Sequence, residues 1–519
     1  MNTQTIYGIW NFSQWDGDKI ALIDPDERHW SRRELVEQGN KIAHALRSMG
    51  LKKGDTVAAM LPNCAEYIAL NLATMQIGLF LAPLNWHLAA NEVSYILQDS
   101  DAKAFFYHSS TRDVANTACQ SIDYPMSQAI CISSDSNDTY QAFIADQSNQ
   151  APEDRIAGMV MYYTSGTTGN PKGVRRQVPN IDPDTNATNF TFLPMMFGIY
   201  PDGDNVHFCG SPLYHTAAMN WATASLHLGH CVVLHHKWDA EKMLEAIDRH
   251  KVTTTHVVPT QMVRLCKLPS DIKARYDVST MTHIIHTAAP CPQHIKHEII
   301  EWFGEVVYEY YASTEGGGTL VNSSDWLKYP GTVGKPWPTA DVKILDDEGN
   351  ELPPEQSGTI YMLMSDVSRF EYKGDKEKTA KTQRGNYFTA GDIGYLNSEG
   401  YLFLSDRKID MIISGGANIY PAEIESVLFA HPDVYDCCVF GIPNEEWGEE
   451  VRAAVQLREG LTGDETKTRD ILSFMQSRLA KMKLPKAIDY HQELPRDPNG
   501  KIYKRRLRDP FWVGRERNV

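Results

Sequence analysis

Apolar residues near the start of the chain recur first at helical and then at strand spacing. Ser31-Arg32-Arg33-Glu34 has the spacing of a capping box, and Leu35, Ile42, Ala43 and Leu46 follow at helical intervals. An apolar run at Thr56–Leu61, a helical stretch from Ala65 and a short run at Leu79–Ala82 continue the alternation. The middle repeats it. Glu241–His250 reads as helix, Val252–Val258 as a β-branched strand, Gln261 onward as helix, His283–Thr287 as strand and Gln293–Phe303 as helix. Alternation of this kind predicts α/β layers on largely parallel sheets.

From about residue 340 the pattern changes. Val342–Leu345 and Gly358–Met364 are separated by the turn signal Asp346-Asp347-Glu348-Gly349-Asn350, and Tyr387–Thr389 and Tyr401–Leu404 flank a turn at Asn397–Gly400. These predict short antiparallel hairpins. After about 406 a smaller unit follows, with a helix near Glu423–Phe429, strands at Tyr435–Phe440 and Val451–Leu457, and a helix near Asp470–Met482. Asn180–Asn205, rich in Asn, Asp and Pro, reads as a long surface loop.

Composition narrows the classes. The 519 residues carry 50 basic and 66 acidic side chains, a net charge of −16. That balance argues against a general binder of nucleic acid or anionic membrane, since the phosphate term needs basic surface. With 42% hydrophobic and 22% charged residues the chain is not disordered. The nine cysteines are scattered without a CxxC pair and read as buried thiols rather than a disulfide framework. The first basic residue is Lys19, the apolar run at Ile77–Leu84 is short and contains Pro83, and Arg517-Asn518-Val519 is no targeting signal. The expectation is a cytoplasmic protein without an integral membrane segment; a homodimer stays open.

The densest chemistry lies in Tyr163-Thr164-Ser165-Gly166-Thr167-Thr168-Gly169-Asn170-Pro171-Lys172-Gly173. Glycines let such a loop curl so that backbone N–H groups face an anion, the hydroxyls add donors, and Lys172 adds positive charge for a polyphosphate. It is not a Walker A loop, because the Gly-to-Lys spacing is wrong and no Ser or Thr directly follows Lys172.

On these residues the sequence resembles the adenylate-forming superfamily of acyl-CoA synthetases, aryl-CoA ligases, beetle luciferases and peptide-synthetase adenylation domains. Further signatures follow in the family's order at Tyr311–Glu315, Thr389–Leu396, Asp406–Glu425 and Pro495–Lys501, so the resemblance runs from roughly residue 20 to 508. It implies an α/β fold with a large N-terminal domain, residues 1–406, of layered α/β subdomains plus a β-barrel-like part. A small mobile α+β domain, residues 407–519, completes it.

The resemblance also assigns roles. Thr164, Ser165, Gly166, Thr167, Thr168, Gly169 and Lys172 form the phosphate loop for ATP. Tyr311 stacks on adenine beside Ala288 and Ala289, Thr314 meets a phosphate, and Glu315 holds Mg²⁺. Asp392 accepts the ribose hydroxyls and Arg407 contacts ribose and phosphate. The hinge falls just beyond it, where Ile409 replaces the usual polar pivot. Ser414, Gly415 and Gly416 form the loop on the side of coenzyme A. Lys501 is the adenylation lysine, its ammonium neutralising charge as the α-phosphate is attacked. Lys504, Arg505, Arg506 and Arg508 read as a solvated basic patch.

For the acyl end, Pro212-Leu213-Tyr214-His215-Thr216 matches the segment that puts an aromatic residue or His at the pocket mouth; a packed structural histidine explains His215 equally well. No Asp lies nearby to pair with an amino acid's ammonium, so a plain carboxylic acid fits better. Gly316-Gly317-Gly318 borders the acyl tunnel in the family and leaves room there. With Arg175-Arg176, this resembles bacterial synthetases for fatty or bulky alicyclic, steroid-like acids more than benzoate-type ligases. The implied function is an ATP-dependent acyl-CoA synthetase. Alternatives are transfer of the acyl group to a carrier protein, oxidation of the adenylate, a P-loop phosphotransferase, or a non-catalytic acyl-nucleotide-binding protein.

Overall fold

Alternating residues on a parallel strand face opposite sides of its sheet, and the first sheet of the chain uses both sides. In the computed structural model its strands run in the order Ala129–Ile132, Ala102–His108, Thr56–Met60, Phe80–Pro83, Met159–Val160, every pair parallel. Val57, Ala59, Leu81, Ala104 and Phe106 enter one buried cluster; Ala58, Met60, Phe80, Ala82, Phe105 and Tyr107 enter the other. The structure describes residues 7–133, 138–164, 171–201, 204–313, 316–364, 369–373, 375–407, 409–415, 417–496 and 502–514. At Thr164, Lys378 and Arg407 it describes the backbone alone.

The chain forms two units, one of residues 1–256, 268–284 and 366–381, the other of residues 257–267, 285–365 and 382–519. In the first, the Ser31 hydroxyl accepts from the Glu34 amide (3.2 Å) and the Glu34 carboxylate from the Ser31 amide (2.8 Å). This caps the helix Arg32–Ser48. Helix Ala65–Gln76 is buried at all but one position, which is why its sequence carries little amphipathic signal. A further layer has parallel strands Ile20–Ile23, Cys231–Leu234, Val206–Cys209 and Thr254–Val257, edged by the antiparallel strand His29–Ser31. A small antiparallel sheet joins Tyr163–Thr164, Lys172–Arg176 and Phe370–Tyr372.

The expected loop at 180–205 is corrected here: it contains helices Pro183–Phe190 and Phe192–Met196. Asp182 caps the first through the Thr185 amide (3.0 Å), and Pro183 occupies the first helical position, where a missing N–H costs nothing.

In the second unit the antiparallel strands run Val307–Ala312, Gly317–Val321, Thr332–Pro336, Leu402–Arg407, Asp392–Leu396, Gly358–Leu363, Tyr387–Phe388, Gln383–Arg384, with Val342–Leu345 also on Gly358–Leu363. Among the described residues the two ends of this order do not pair with each other, so the expected barrel-like part is an open sheet. The strand before the Asn397–Gly400 turn is Asp392–Leu396, not Tyr387–Thr389, which pairs elsewhere. Toward the C-terminus, Val434–Asn444 and Gly448–Leu457 form a long hairpin joined by Ile412–Ser414 and, in parallel, Ala487–Tyr490. Helices Pro421–Phe429 and Glu465–Gln476 cover one face; the second starts and ends earlier than its sequence pattern implied. All nine cysteines are free thiols. No described helix is long and apolar enough to cross a membrane.

Candidate active site

The second unit gathers at adjoining strand ends the residues that the resemblance assigns to adenine and ribose. Tyr311 is the penultimate residue of Val307–Ala312, and its hydroxyl donates to Asp392 Oδ2 at 2.6 Å. Asp392 opens the strand Asp392–Leu396 and lies directly across from Arg407, the last residue of Leu402–Arg407. Behind Tyr311, Thr287 donates its hydroxyl to the Tyr310 carbonyl (2.6 Å), and Ala288 adopts φ +79°, a strained conformation for a residue with a Cβ. Ser313 and Gly316 exchange backbone hydrogen bonds on either side of Thr314 and Glu315, which lie outside the described residues. Beneath the strand, Lys296 (1% exposed) bonds Glu309 at 2.7 Å, with His286 at 3.6 Å. Burial raises the Glu309 pKa against the opposing pull of the Lys296 charge.

The glycines after position 315 do not leave an open space. A Cβ at Gly316 would stand 2.9 Å from Phe388, at Gly317 2.4 Å from Trp337 and at Gly318 3.1 Å from Met362. These side chains fill the volume that the sequence assigned to a bulky acid.

Farther along the same unit, Ser414 and Ala417 pair at the base of a turn, and Gly415 donates its amide to the Trp447 carbonyl at 2.8 Å. Gly415 has φ +59°, and a Cβ there would come within 2.6 Å of the Trp447 ring. Glycine is therefore dictated twice, by conformation and by space. Gly416 lies outside the described residues, as do Lys501 and, in the glycine-rich segment, Ser165, Gly166, Thr167, Thr168 and Gly169.

The base of the segment carrying Lys501 is well defined. Arg496 and Ile502 form an antiparallel bridge, Tyr503 donates its amide to the Pro495 carbonyl (2.8 Å), and Arg496 grips Asp436 with two bonds of 2.6 and 2.7 Å. The basic run beyond it is not a uniformly solvated patch. Lys504 pairs with Glu425 (3.1 Å) and Arg508 with Asp410 (3.5 Å), both largely buried, while Arg505 and Arg506 stay exposed. The charges of Glu425, Asp406 and Asp410 outweigh burial and raise the Lys504 pKa.

In the first unit, Tyr163–Thr164 and Lys172–Arg176 pair antiparallel on either side of the glycine-rich segment. Lys172 Nζ lies 3.9 Å from Asp375, a carboxylate that no sequence signal singled out. His215 precedes helix Thr216–His227 and packs against Tyr214, ring centroids 4.4 Å apart. The loop before it hangs on buried Asn63. The Asn63 carboxamide accepts from the Leu213 amide (2.8 Å) and donates to the Ser211 and His235 carbonyls (3.0 and 2.9 Å). Asn63 lies 150 residues from Leu213, so local pattern could not reveal the link.

Comparison with known proteins adds to this geometry. The family model for AMP-binding enzyme matches residues 10–369, and that for the AMP-binding enzyme C-terminal domain matches residues 423–501. The chain is 32% identical to a fatty acid–[acyl-carrier-protein] ligase, ScoC, of Streptomyces coeruleorubidus, over 99% of this chain and 98% of that one. It is 32% identical to the long-chain-fatty-acid–CoA ligase FadD13 of Mycobacterium tuberculosis, over 95% of each. Among solved structures, ATP-bound MatB from Rhodopseudomonas palustris superposes with a TM-score of 0.82 at 29% identity, covering 97% of this chain and 99% of that one.

Proposed function

The chain belongs to the AMP-binding enzyme family and is an acid–thiol ligase of the AMP-forming type, and from that premise we propose that it activates a hydrophobic carboxylic acid as its adenylate and passes the acyl group to coenzyme A. The observation that carries the reading is the Tyr311–Asp392 hydrogen bond with Arg407 across the strand pair. It puts an aromatic face, a carboxylate and a cationic residue at neighbouring strand ends of one sheet, the set a purine nucleoside monophosphate needs.

In this account residues 164–169 and Lys172 cradle the triphosphate of ATP. Ala288, Ala289 and Tyr311 enclose adenine, Asp392 accepts the ribose hydroxyls and Arg407 lies beside them. Thr314 contacts a phosphate. Magnesium, held through Glu315, would neutralise phosphate charge when bound. The substrate carboxylate attacks the α-phosphorus, the bond to the β-phosphate breaks, and pyrophosphate leaves. Lys501 offsets the negative charge that builds on the attacked phosphate. The thiol sulfur then attacks the acyl carbon, its proton is lost, and AMP departs with the former carboxylate oxygen. Residues 407–519 rotate on the hinge just after Arg407 between the steps, exchanging Lys501 for the loop at Ser414, Gly415 and Gly416.

His215 stands at the acyl end. No carboxylate occurs in the Pro212–Thr216 segment to hold an amino acid's ammonium, which favours a plain carboxylic acid, and the 32% identity to a long-chain-fatty-acid–CoA ligase supports a fatty one. Transfer to a carrier protein is the second reading, supported by the 32% identity to ScoC, equal to that with FadD13. A panel of acids graded by chain length and ring number, incubated with ATP, Mg²⁺ and either CoA or a carrier protein, tests both. Acyl-CoA, identified by mass, is expected; acylated carrier without acyl-CoA would install the second reading, and brisk turnover of benzoate with none of long or polycyclic acids would overturn the substrate class.

A further inference from the structure

At the far end of the strand that leaves the phosphate loop, the first unit holds a groove of 610 Å³ whose lining includes four cationic side chains, Lys53, Arg175, Arg176 and Arg369. Such a concentration runs against a chain of net charge −16. The rings of Phe80 and Phe370, both buried, also line the groove, and the Arg175 guanidinium lies over the Phe80 face at 4.9 Å. Glu371, across the strand pair from Arg175, is the single acidic residue among the described residues of the lining, which carry four cations.

Two of the four cations are unmatched by a carboxylate among the described residues. Lys53 bonds the Asn180 side-chain oxygen (3.0 Å), and Arg175 has the Phe80 ring. The Lys53 stem lies against Gly78, where a Cβ would stand 3.1 Å from its Cγ; the ammonium is thus presented from a supported stem. Arg175 stands three residues beyond Lys172, about 10 Å along an extended strand, so the groove is separate from the triphosphate position.

We propose that this groove binds an organophosphate, its phosphate held by Lys53, Arg175, Arg176 and Arg369 and its planar or apolar part laid on Phe80 and Phe370. Guanidinium groups offer forked donors that match phosphate oxygens two at a time, and they gain on desolvation beside buried rings. A volume of this size suits a nucleotide or a phospholipid head with the start of its chains. The shared chemistry is a phosphate ester joined to an apolar or planar group; the source is for the assay to separate.

The full-length protein, with its phosphate loop saturated by ATP, is titrated calorimetrically with adenosine 3′,5′-bisphosphate and, separately, tested for flotation with phosphatidylglycerol vesicles. Binding to at least one probe is expected, weakened roughly tenfold or more by each of Lys53→Ala and Arg175→Ala and recovered only in part by Arg175→Lys, which keeps the charge but not the fork. Nucleotide binding lost in the variants assigns a soluble ligand; vesicle binding lost in them assigns a lipid headgroup. Lys53 is exposed, so its alanine variant tests the groove without endangering the fold, and thermal melting checks both variants. No binding of either probe, or binding unchanged in both alanine variants, overturns the proposal. The readout is binding and not turnover, so it stands apart from the fate of the ligase reading.

Discussion

Asp436→Asn is expected to uncouple the two half-reactions. The Arg496–Asp436 fork makes two bonds of 2.6 and 2.7 Å between side chains that are each 15% exposed, and it stands at the base of the segment that carries Lys501. Breaking a fully buried ion pair costs about 3–5 kcal/mol; with water reaching part of this one, about 2–3 kcal/mol is the expected loss. If the fork supports Lys501 in its proposed role as the adenylation lysine, much of that loss falls on the state competent for the first half-reaction. Acid-dependent exchange of pyrophosphate into ATP should then slow by about thirtyfold or more, since about 1.4 kcal/mol is tenfold. Thioester formation from supplied acyl-adenylate should change by less than about threefold on the same scale. The pair Arg496→Met with Asp436→Leu removes both charges and recovers stability, but leaves the segment without its grip, so exchange should stay slow. Exchange at the wild-type rate in a destabilised Asp436→Asn protein, or equal slowing of both half-reactions, refutes the reasoning.

Other perturbations read other parts of the structure. Asn63→Leu leaves a buried and a part-buried carbonyl and a buried amide without their partner, costing about 2–4 kcal/mol in stability, and should raise KM for the acid more than KM for ATP; equal KM changes would detach Asn63 from the acyl end. Burial lowers His207, His227 and His256 to about 3, so each stays neutral in the fold. The unfolded chain, with histidine near pH 6.5, binds more protons below that value. Stability should therefore fall as pH drops from 7 to 5, by about 2 kcal/mol for each histidine in denaturant titrations, whereas a flat profile would contradict neutral burial. Lys296→Met strands the Glu309 carboxylate and should cost about 3–5 kcal/mol, most of it recovered by adding Glu309→Gln; failure of that rescue would place the cost in packing.

The sequence was most readable where structure is local. The Ser31–Glu34 capping box and helix Gln293–Phe303 occur where periodicity puts them. The hairpin at Asn397–Gly400 was assigned the wrong first strand: Asp392–Leu396, directly before the turn, meets Leu402–Arg407, while Tyr387–Phe388 pairs with Gly358–Leu363. The helix Pro183–Phe190 had a local signal, Asp182 followed by Pro183, that the surrounding Asn and Asp residues obscured. At the site, Tyr311 and Asp392 were each named from motifs 81 residues apart, but the bond between them belongs to the fold. Composition misled at Gly316–Gly318, where the space freed by glycine is taken by Trp337, Phe388 and Met362. It misled again at Lys504 and Arg508, whose carboxylate partners lie on other elements.

Transfer of oxygen from the acid tests the ligase account most directly. The acid is labelled with ¹⁸O in both carboxylate positions and turned over with ATP, Mg²⁺ and CoA, and the nucleotide and phosphate products are analysed by mass. Attack of the carboxylate on the α-phosphorus predicts one ¹⁸O in AMP, unlabelled pyrophosphate and an acyl-CoA retaining the other ¹⁸O. Label in inorganic phosphate together with ADP, or AMP free of ¹⁸O, would contradict it.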